Sequence, residues 1–197
     1  MNIWFATNNT HKKKELQAIL GTTLLIPSEE GYAFNPEETE NTFSGNALLK
    51  ARALKKILKN KDDIIIADDS GICVDALDGR PGVQSAYYGE ENGKKLTSTE
   101  KYELLLDELG DNPNRSARFV CAMVLLHDHN RFVIVQETTE GQIVKKSEVR
   151  GSGGFGYDPI FLLPSGRTLA ELSAEEKNSI SHRGKAGKHI KRFIEEY

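Results

Sequence analysis

Apolar residues along this chain recur at two periods, and the changes between them mark out the elements. Ile64-Ile65-Ile66-Ala67 is a β-branched run that predicts a short buried strand, and Asp68-Asp69-Ser70-Gly71 directly after it predicts a turn. Ile3-Trp4-Phe5-Ala6 predicts a first strand and residues 22–26 a second. Between them lie a polar loop, residues 7–12, and a helix, residues 13–20, with Leu16, Ile19 and Leu20 on one face. Residues 46–59 carry Ala47, Ala51, Leu54 and Leu58 as a helical stripe. Two capping boxes, Thr97-Ser98-Thr99-Glu100 and Ser173-Ala174-Glu175-Glu176, open further helices, the first running to about Leu109 and ending at Gly110. Residues 116–126 and 132–137 read as hairpin strands joined by a turn at His127-Asp128-His129-Asn130. Residues 138–146 suggest another strand around Gly141, residues 160–163 a buried one, and residues 185–197 a last helix. Strands alternate with helices early and pair as hairpins in the middle. That order gives an α/β class with a mixed sheet and flanking helices, arranged as two lobes around a central cleft.

Composition narrows the function classes. At 197 residues, with 38% hydrophobic and 28% charged residues, the chain reads as one soluble globular domain over residues 1–197. A net charge of -3 leaves no basic footprint for sequence-independent nucleic-acid binding. No apolar run approaches the roughly 20 residues that span a bilayer, and the N-terminal residues lack a secretory pattern. Cys73 and Cys121 lie in apolar segments without metal-ligand spacing, which suits reduced thiols and a cytoplasmic location.

Five features carry chemistry. Asp68 and Asp69 end a buried strand, the rim at which open α/β sheets bind ligands, and adjacent carboxylates need cations or donors nearby. Thr7, Asn8, Asn9, Thr10, His11 and Lys12 precede a helix, where backbone N–H groups, short polar side chains and a lysine suit a phosphate. The acidic loop before the second helix, with Glu37 and Glu38, offers a further oxygen ligand for magnesium. Gly151 to Pro159 then joins glycines that permit close backbone approach to Phe155 and Tyr157, which can stack on a planar base. Arg183 presents a planar fork suited to phosphate or to a purine carbonyl.

In order and spacing, these stretches resemble the inosine triphosphate pyrophosphatase (Ham1-like) family. The resemblance runs nearly end to end. It is carried by Ala6-Thr7-Asn8-Asn9 with Lys12 and Glu15, Asn46-Ala47 with Lys50-Ala51, and Ala67-Asp68-Asp69-Ser70-Gly71. Pro81-Gly82 with Ser85-Ala86, Gly153 to Phe161, Glu176-Lys177-Asn178 and Ser181-His182-Arg183-Gly184 complete it. The resemblance implies a long mixed sheet, usually in a homodimer. It also implies Mg2+-dependent hydrolysis of a deaminated-purine nucleoside triphosphate (ITP, dITP, XTP) to the monophosphate and pyrophosphate. By position, Thr7 to Lys12 and Lys50 would hold the triphosphate. Asp69 would bind the metal and activate water, with Glu38 or its neighbour Glu37 as second metal carboxylate, and Ser70 would touch substrate. Phe155, Gly156, Tyr157, Asp158, Lys177, His182 and Arg183 would form the base pocket and its flank, Arg183 or a backbone N–H donating to O6 of the purine. One departure stands out: the family commonly has Glu before the Asn-Ala pair, and this chain has Gly45. Gly45 keeps a nucleotide-binding sensor that has lost hydrolysis as an alternative, and a pyrophosphatase on another modified nucleotide is a second.

Overall fold

The computed structural model describes residues 1–128 and 131–196. Five strands form one sheet in the order β1-β2-β3-β4-β5: β1 Ile3–Phe5, β2 Ile64–Val74, β3 Ser116–Leu126, β4 Phe132–Ile143 and β5 Phe161–Leu162. β1 runs parallel to β2, pairing Ile3 with Ile64 and Phe5 with Ile66, whereas β4 and β5 are antiparallel, so the sheet is mixed. Five α-helices accompany it: α1 Thr10–Leu20, α2 Phe43–Ile57, α3 Ser98–Leu109, α4 Ala174–Ile180 and α5 His182–Glu195. The expected α/β class holds.

The chain divides into two compact units, one of Met1–Ser70, Cys121–Glu137 and the chain from Ser181 on, the other of Gly71–Val120 and Thr138–Ile180. In the first unit the pleat of the strands builds two cores. Phe5, Ile64, Ile66, Cys121 and Met123 pack with Leu16 and Leu20 of α1 and Ala186 and Ile190 of α5. Trp4, Ile65, Ala67 and Val124 alternate with them and pack with Ala47, Ala51 and Leu54 of α2. One sheet face therefore carries α1 and α5, the other α2. The second unit has its own core, with Ile72, Val74, Leu105, Leu109, Phe119, Ile143, Tyr157, Phe161 and Leu169.

Several expected boundaries move. The Asp68-Asp69-Ser70-Gly71 turn is absent: β2 runs unbroken from Ile64 to Val74, so both acids stand inside a strand. Each finds donors there, Asp68 in Lys12 and Arg183 and Asp69 in Lys50 and Asn46, which removes the need for a solvated turn. Helix α1 starts at Thr10 because Asn9 caps it, its side chain accepting from the amides of His11 and Lys12. Thr42 caps α2 before Phe43, and Ser181 caps α5 before His182. All three helices thus begin three residues earlier than expected, and α2 also ends earlier, at Ile57. Residues 22–26 form no strand; only Leu25 bridges to Trp4. Residues 132–137 and 138–146 are not two strands, because β4 passes from Phe132 to Ile143. It passes through Gly141, where a Cβ would stand 2.5 Å from the Leu162 carbonyl oxygen, so glycine lets β5 lie close. The strand expected at 160–163 shrinks to Phe161–Leu162 after a 3₁₀ turn at Asp158–Ile160. Of the expected hairpin tip, His129 and Asn130 lie outside the described residues, as does Tyr197.

Candidate active site

Alternation along β2 sends Asp68 and Asp69 to opposite faces. Asp68 continues the row of Ile64 and Ile66 towards α1 and α5. Its Oδ1 accepts from Lys12 Nζ at 3.0 Å, and its Oδ2 accepts from Arg183 Nη2 at 3.0 Å and Nε at 3.2 Å. The Cys121 thiol also donates to Oδ2 at 3.9 Å. Arg183 then donates from Nη1 to Glu15 Oε2 at 2.6 Å and from Nη2 to Ser70 Oγ at 2.9 Å. Glu15, Arg183, Asp68 and Lys12 thus form one chain of alternating charge. Burial alone would raise the Asp68 pKa, but Lys12, Arg183 and Lys50 hold it well below the ordinary carboxylate range.

Asp69 continues the row of Ile65 and Ala67 towards α2. Its Oδ1 accepts from Lys50 Nζ at 3.2 Å and its Oδ2 from Asn46 Nδ2 at 3.3 Å. Lys50 also donates to Glu38 Oε1 at 3.2 Å, so one ammonium lies between two carboxylates. Burial lowers the pKa of Lys50, but Asp69, Asp68 and Glu38 together carry it above its usual value. For Asp69 the balance goes the other way: burial, with help from Glu38, outweighs Lys50 and Lys12 and raises its pKa. The two neighbouring acids are therefore driven in opposite directions, a recurring mark of divided acid–base roles.

The deficit of positive charge at Asp69 is what a divalent cation would fill. Asp69 and Glu38 offer two hard carboxylates, and magnesium needs only one or two when phosphate oxygens complete its shell. Glu37 is exposed, and among the described residues no three His, Cys, Asp or Glu side chains gather as a metal-holding group. Of the two expected alternatives for a second carboxylate, Glu38 is the one that shares Lys50 with Asp69. Gly45, at the start of α2, leaves little room for a side chain: a Cβ there would stand 2.8 Å from Glu40 Cβ and 2.9 Å from Thr42 Oγ1, the capping oxygen.

Thr10, His11 and Lys12 form the first turn of α1, with Thr7 and Asn8 just before the Asn9 cap. Asn9 N–H donates to Thr7 Oγ1 at 3.0 Å, and Asn8 Nδ2 to the Phe34 carbonyl at 2.5 Å, which shapes the approach to the helix. Asn8 to His11 are exposed and Lys12 half-buried, at the end of a helix that favours anions. His182 and Arg183 are buried in the first turn of α5.

In the second unit, Asp158 organises the glycine-rich stretch. Its Oδ2 accepts from the Phe155 amide at 2.7 Å and from Lys177 Nζ at 2.7 Å, and Lys177 Nζ lies 4.9 Å from the centre of the Phe155 ring. Tyr157 and Asp158 are buried while Phe155 and Gly156 are half-buried, so part of Phe155 and Gly156 stays accessible on a braced loop. Glu15 and Asn46 had no assigned role in the sequence reading, although each contacts one of the central charged groups. Their motif positions were visible; the faces on which they fall required the helix starts.

The sequence pattern of the Ham1 family matches residues 3–193. The chain is 50% identical over 196 residues to a dITP/XTP pyrophosphatase of Treponema denticola, an alignment covering 98% of each chain. It is 40% identical over 199 residues to one of Clostridium tetani, covering 99% of this chain and 96% of that one. Among solved structures, a HAM1 protein from Coxiella burnetii superposes with a TM-score of 0.87 at 38% identity over 100% of both chains. The Ham1 protein of Staphylococcus aureus gives 0.85 at 37% identity, over 100% of this chain and 99% of that one.

Proposed function

The chain belongs to the Ham1 family, and from that premise we propose how its residues carry out the hydrolysis of dITP, XTP and ITP to the monophosphate and pyrophosphate. The observation that carries the proposal is the separation of the two acids. Asp68 is saturated by fixed cations, whereas Asp69, with its raised pKa, is the carboxylate able to take a proton from water. In the proposed reaction, a water oxygen bonds to the α-phosphorus, its proton passes to Asp69, and the bond to the bridging oxygen breaks as pyrophosphate leaves. Lys12 and Lys50 neutralise the triphosphate, with the polar residues Thr7, Asn8, Asn9, Thr10 and His11 beside it, as transfer at a charge-rich phosphorus requires. Glu38 and Asp69 would hold magnesium, which when bound adds positive charge on the phosphates and acidifies water.

The loop of Phe155, Gly156, Tyr157 and Asp158 takes the base in this proposal, with Lys177 bracing it, and His182 is proposed as a further substrate-binding residue. Arg183 donates to O6, a position at which adenine carries an amino group instead. Its guanidinium is held by Asp68, Glu15 and Ser70, so reading O6 requires it to exchange part of that engagement. We propose a homodimer, with Phe132 and Ile134 on β4, each 39% exposed, as an apolar surface for it; sedimentation would measure the assembly.

The test is pyrophosphate release from ITP, XTP, dITP, GTP and ATP, with magnesium and with chelator. Magnesium-dependent release favouring the first three is expected, with Asp69→Asn reducing kcat by at least about a hundredfold, as removal of a general base does. Arg183→Ala should erode the ITP/ATP preference. An Asp69→Asn enzyme that keeps its rate, or an Arg183→Ala enzyme with an unaltered ratio of kcat/KM values, removes the corresponding role.

A further inference from the structure

β2 continues well beyond its pairing with β1, whose register ends at Ile66. On that edge the amide of Ile64 donates to the Asn2 carbonyl at 3.0 Å, and farther along the strand the amides of Ile72 and Val74 need other acceptors. The segment 80–85 supplies them. Val74 N–H donates to the Arg80 carbonyl at 3.2 Å, and Ile72 N–H to Ser85 Oγ at 2.9 Å. Ser85 Oγ in turn donates to the Gly82 carbonyl at 2.6 Å, closing its own turn. A side-chain hydroxyl thus replaces a missing strand, three residues after Asp69.

The Ser85 carbonyl makes the second half of the connection. It accepts from the Tyr157 hydroxyl at 2.9 Å, and both residues are 6% exposed. Tyr157 therefore turns its polar tip into the protein, on the backbone of Ser85. Its neighbour Asp158 holds the Phe155 amide and Lys177, so the loop is fixed at both of its buried positions. The only half-buried aromatic left in it is Phe155.

We propose that Ser85 and the Tyr157 hydroxyl are positioning residues that set the height and tilt of the 155–158 loop by anchoring it to β2. Neither touches substrate through these atoms. The proposal rests on the reading that this loop takes the purine. The anchor acts on recognition of the base and not on the phosphates: loosening it allows Phe155 to sample orientations that do not stack, and base binding is weakened by the fraction of time lost.

Tyr157→Phe keeps the ring and removes only the hydroxyl. It is expected to raise KM for ITP about three- to tenfold, the worth of one net hydrogen bond, while kcat changes less than about twofold because the phosphorus chemistry is untouched. Inorganic tripolyphosphate, a competitor without a base, should inhibit the variant and the parent equally. Ser85→Ala should raise KM for ITP in the same way and Ser85→Thr, which keeps the hydroxyl, should restore it. The Tyr157→Phe change should cost less in the Ser85→Ala background than alone, since the two lie on one path. Phe155→Ala serves as the control for the underlying reading. If it raises KM and Tyr157→Phe does not, the anchor is wrong while the base-binding loop stands. If Phe155→Ala leaves KM unmoved, the loop does not take the base and both ideas fall. Equal weakening of ITP and tripolyphosphate by Tyr157→Phe would mean general damage, and overturns the anchor as well.

Discussion

Consecutive side chains on a pleated strand leave it on opposite faces, so Asp68 and Asp69 do not compete for the same cations. Lys12 and Arg183 stand on one side and Lys50 on the other. The consequence for stability concerns Asp68, which is fully buried and whose folded pKa is depressed. A depressed carboxylate contributes stability that is present above its unfolded pKa of about 3.9 and is lost as pH falls below it. Asp68→Asn should therefore lower stability at neutral pH by about 3–5 kcal/mol, because it leaves buried cations uncompensated. It should also flatten the loss of stability below about pH 4. Urea melts of the chelated protein from pH 3 to pH 7 measure both, and parallel pH profiles for the two proteins would contradict the assignment. The two acids announced themselves in the sequence because such a pair is costly without partners. Their faces did not, because the partners come from residues 12, 50 and 183, and nothing local to Asp68 tells a reader that the strand persists. A Ser-Gly pair after two acids has every local property of a turn. Only the distant lysines and arginine make the extended conformation the better one.

Polar first turns explain most of what was misplaced at the level of elements. Apolar periodicity begins where a helix starts to bury a face; in α1 and α5 the opening turn is polar or small, and in α2 the lone Phe43 is followed by Ser44, Gly45 and Asn46 before the apolar stripe begins. The residues that define those starts are the caps, Asn9, Thr42 and Ser181, and these are the common capping types. Thr97 and Ser173 were legible because a glutamate follows at the third position and reaches back, whereas Asn9 and Ser181 are followed there by Lys12 and Gly184. Lys12 and Arg183, both proposed to act on the substrate, occupy the turns that lacked the second signal. Ser181 Oγ accepts from the Gly184 amide at 3.1 Å and is buried, so water cannot replace it. Ser181→Ala should cost about 1–2 kcal/mol in stability. The first turn of α5 holds Arg183 on Asp68, so the same variant should also weaken discrimination between ITP and ATP, and Ser181→Asp, which can still cap, should recover both. Recovery of stability without recovery of discrimination would separate the cap from the placement of Arg183. Packing between α1 and α5 is close at Gly187, where a Cβ would stand 2.8 Å from Ile19 Cγ2, so these two helices leave little slack for such a shift.

At the scale of the whole molecule, the chain has two compact units and yet no boundary that a sequence could show, because β2, β3 and β4 each supply residues to both. Composition shifts mark linkers, and here three of the four crossings between units are strand interiors, the fourth falling between α4 and α5 at Ile180 and Ser181. That continuity predicts how the protein unfolds. Each unit has a core of its own, and a truncation such as Leu105→Ala in the second should cost about 2–5 kcal/mol there. If the shared strands transmit the loss, the first unit melts with it; if each unit were self-sufficient, the first would be indifferent. The chain carries its own reporter, since its one tryptophan, Trp4, is buried in the first unit with Nε1 donating to Asp63 Oδ2 at 2.9 Å. Far-UV circular dichroism follows all elements, whereas Trp4 fluorescence follows the first unit alone. For Leu105→Ala the two midpoints should fall together and by the same amount, as in a two-state transition. A fluorescence midpoint that stays at its parental value while the dichroism midpoint drops would show that a strand can lose its pairing in one unit and keep it in the other. In that case the sheet, although continuous in the native structure, would behave as two cooperative pieces.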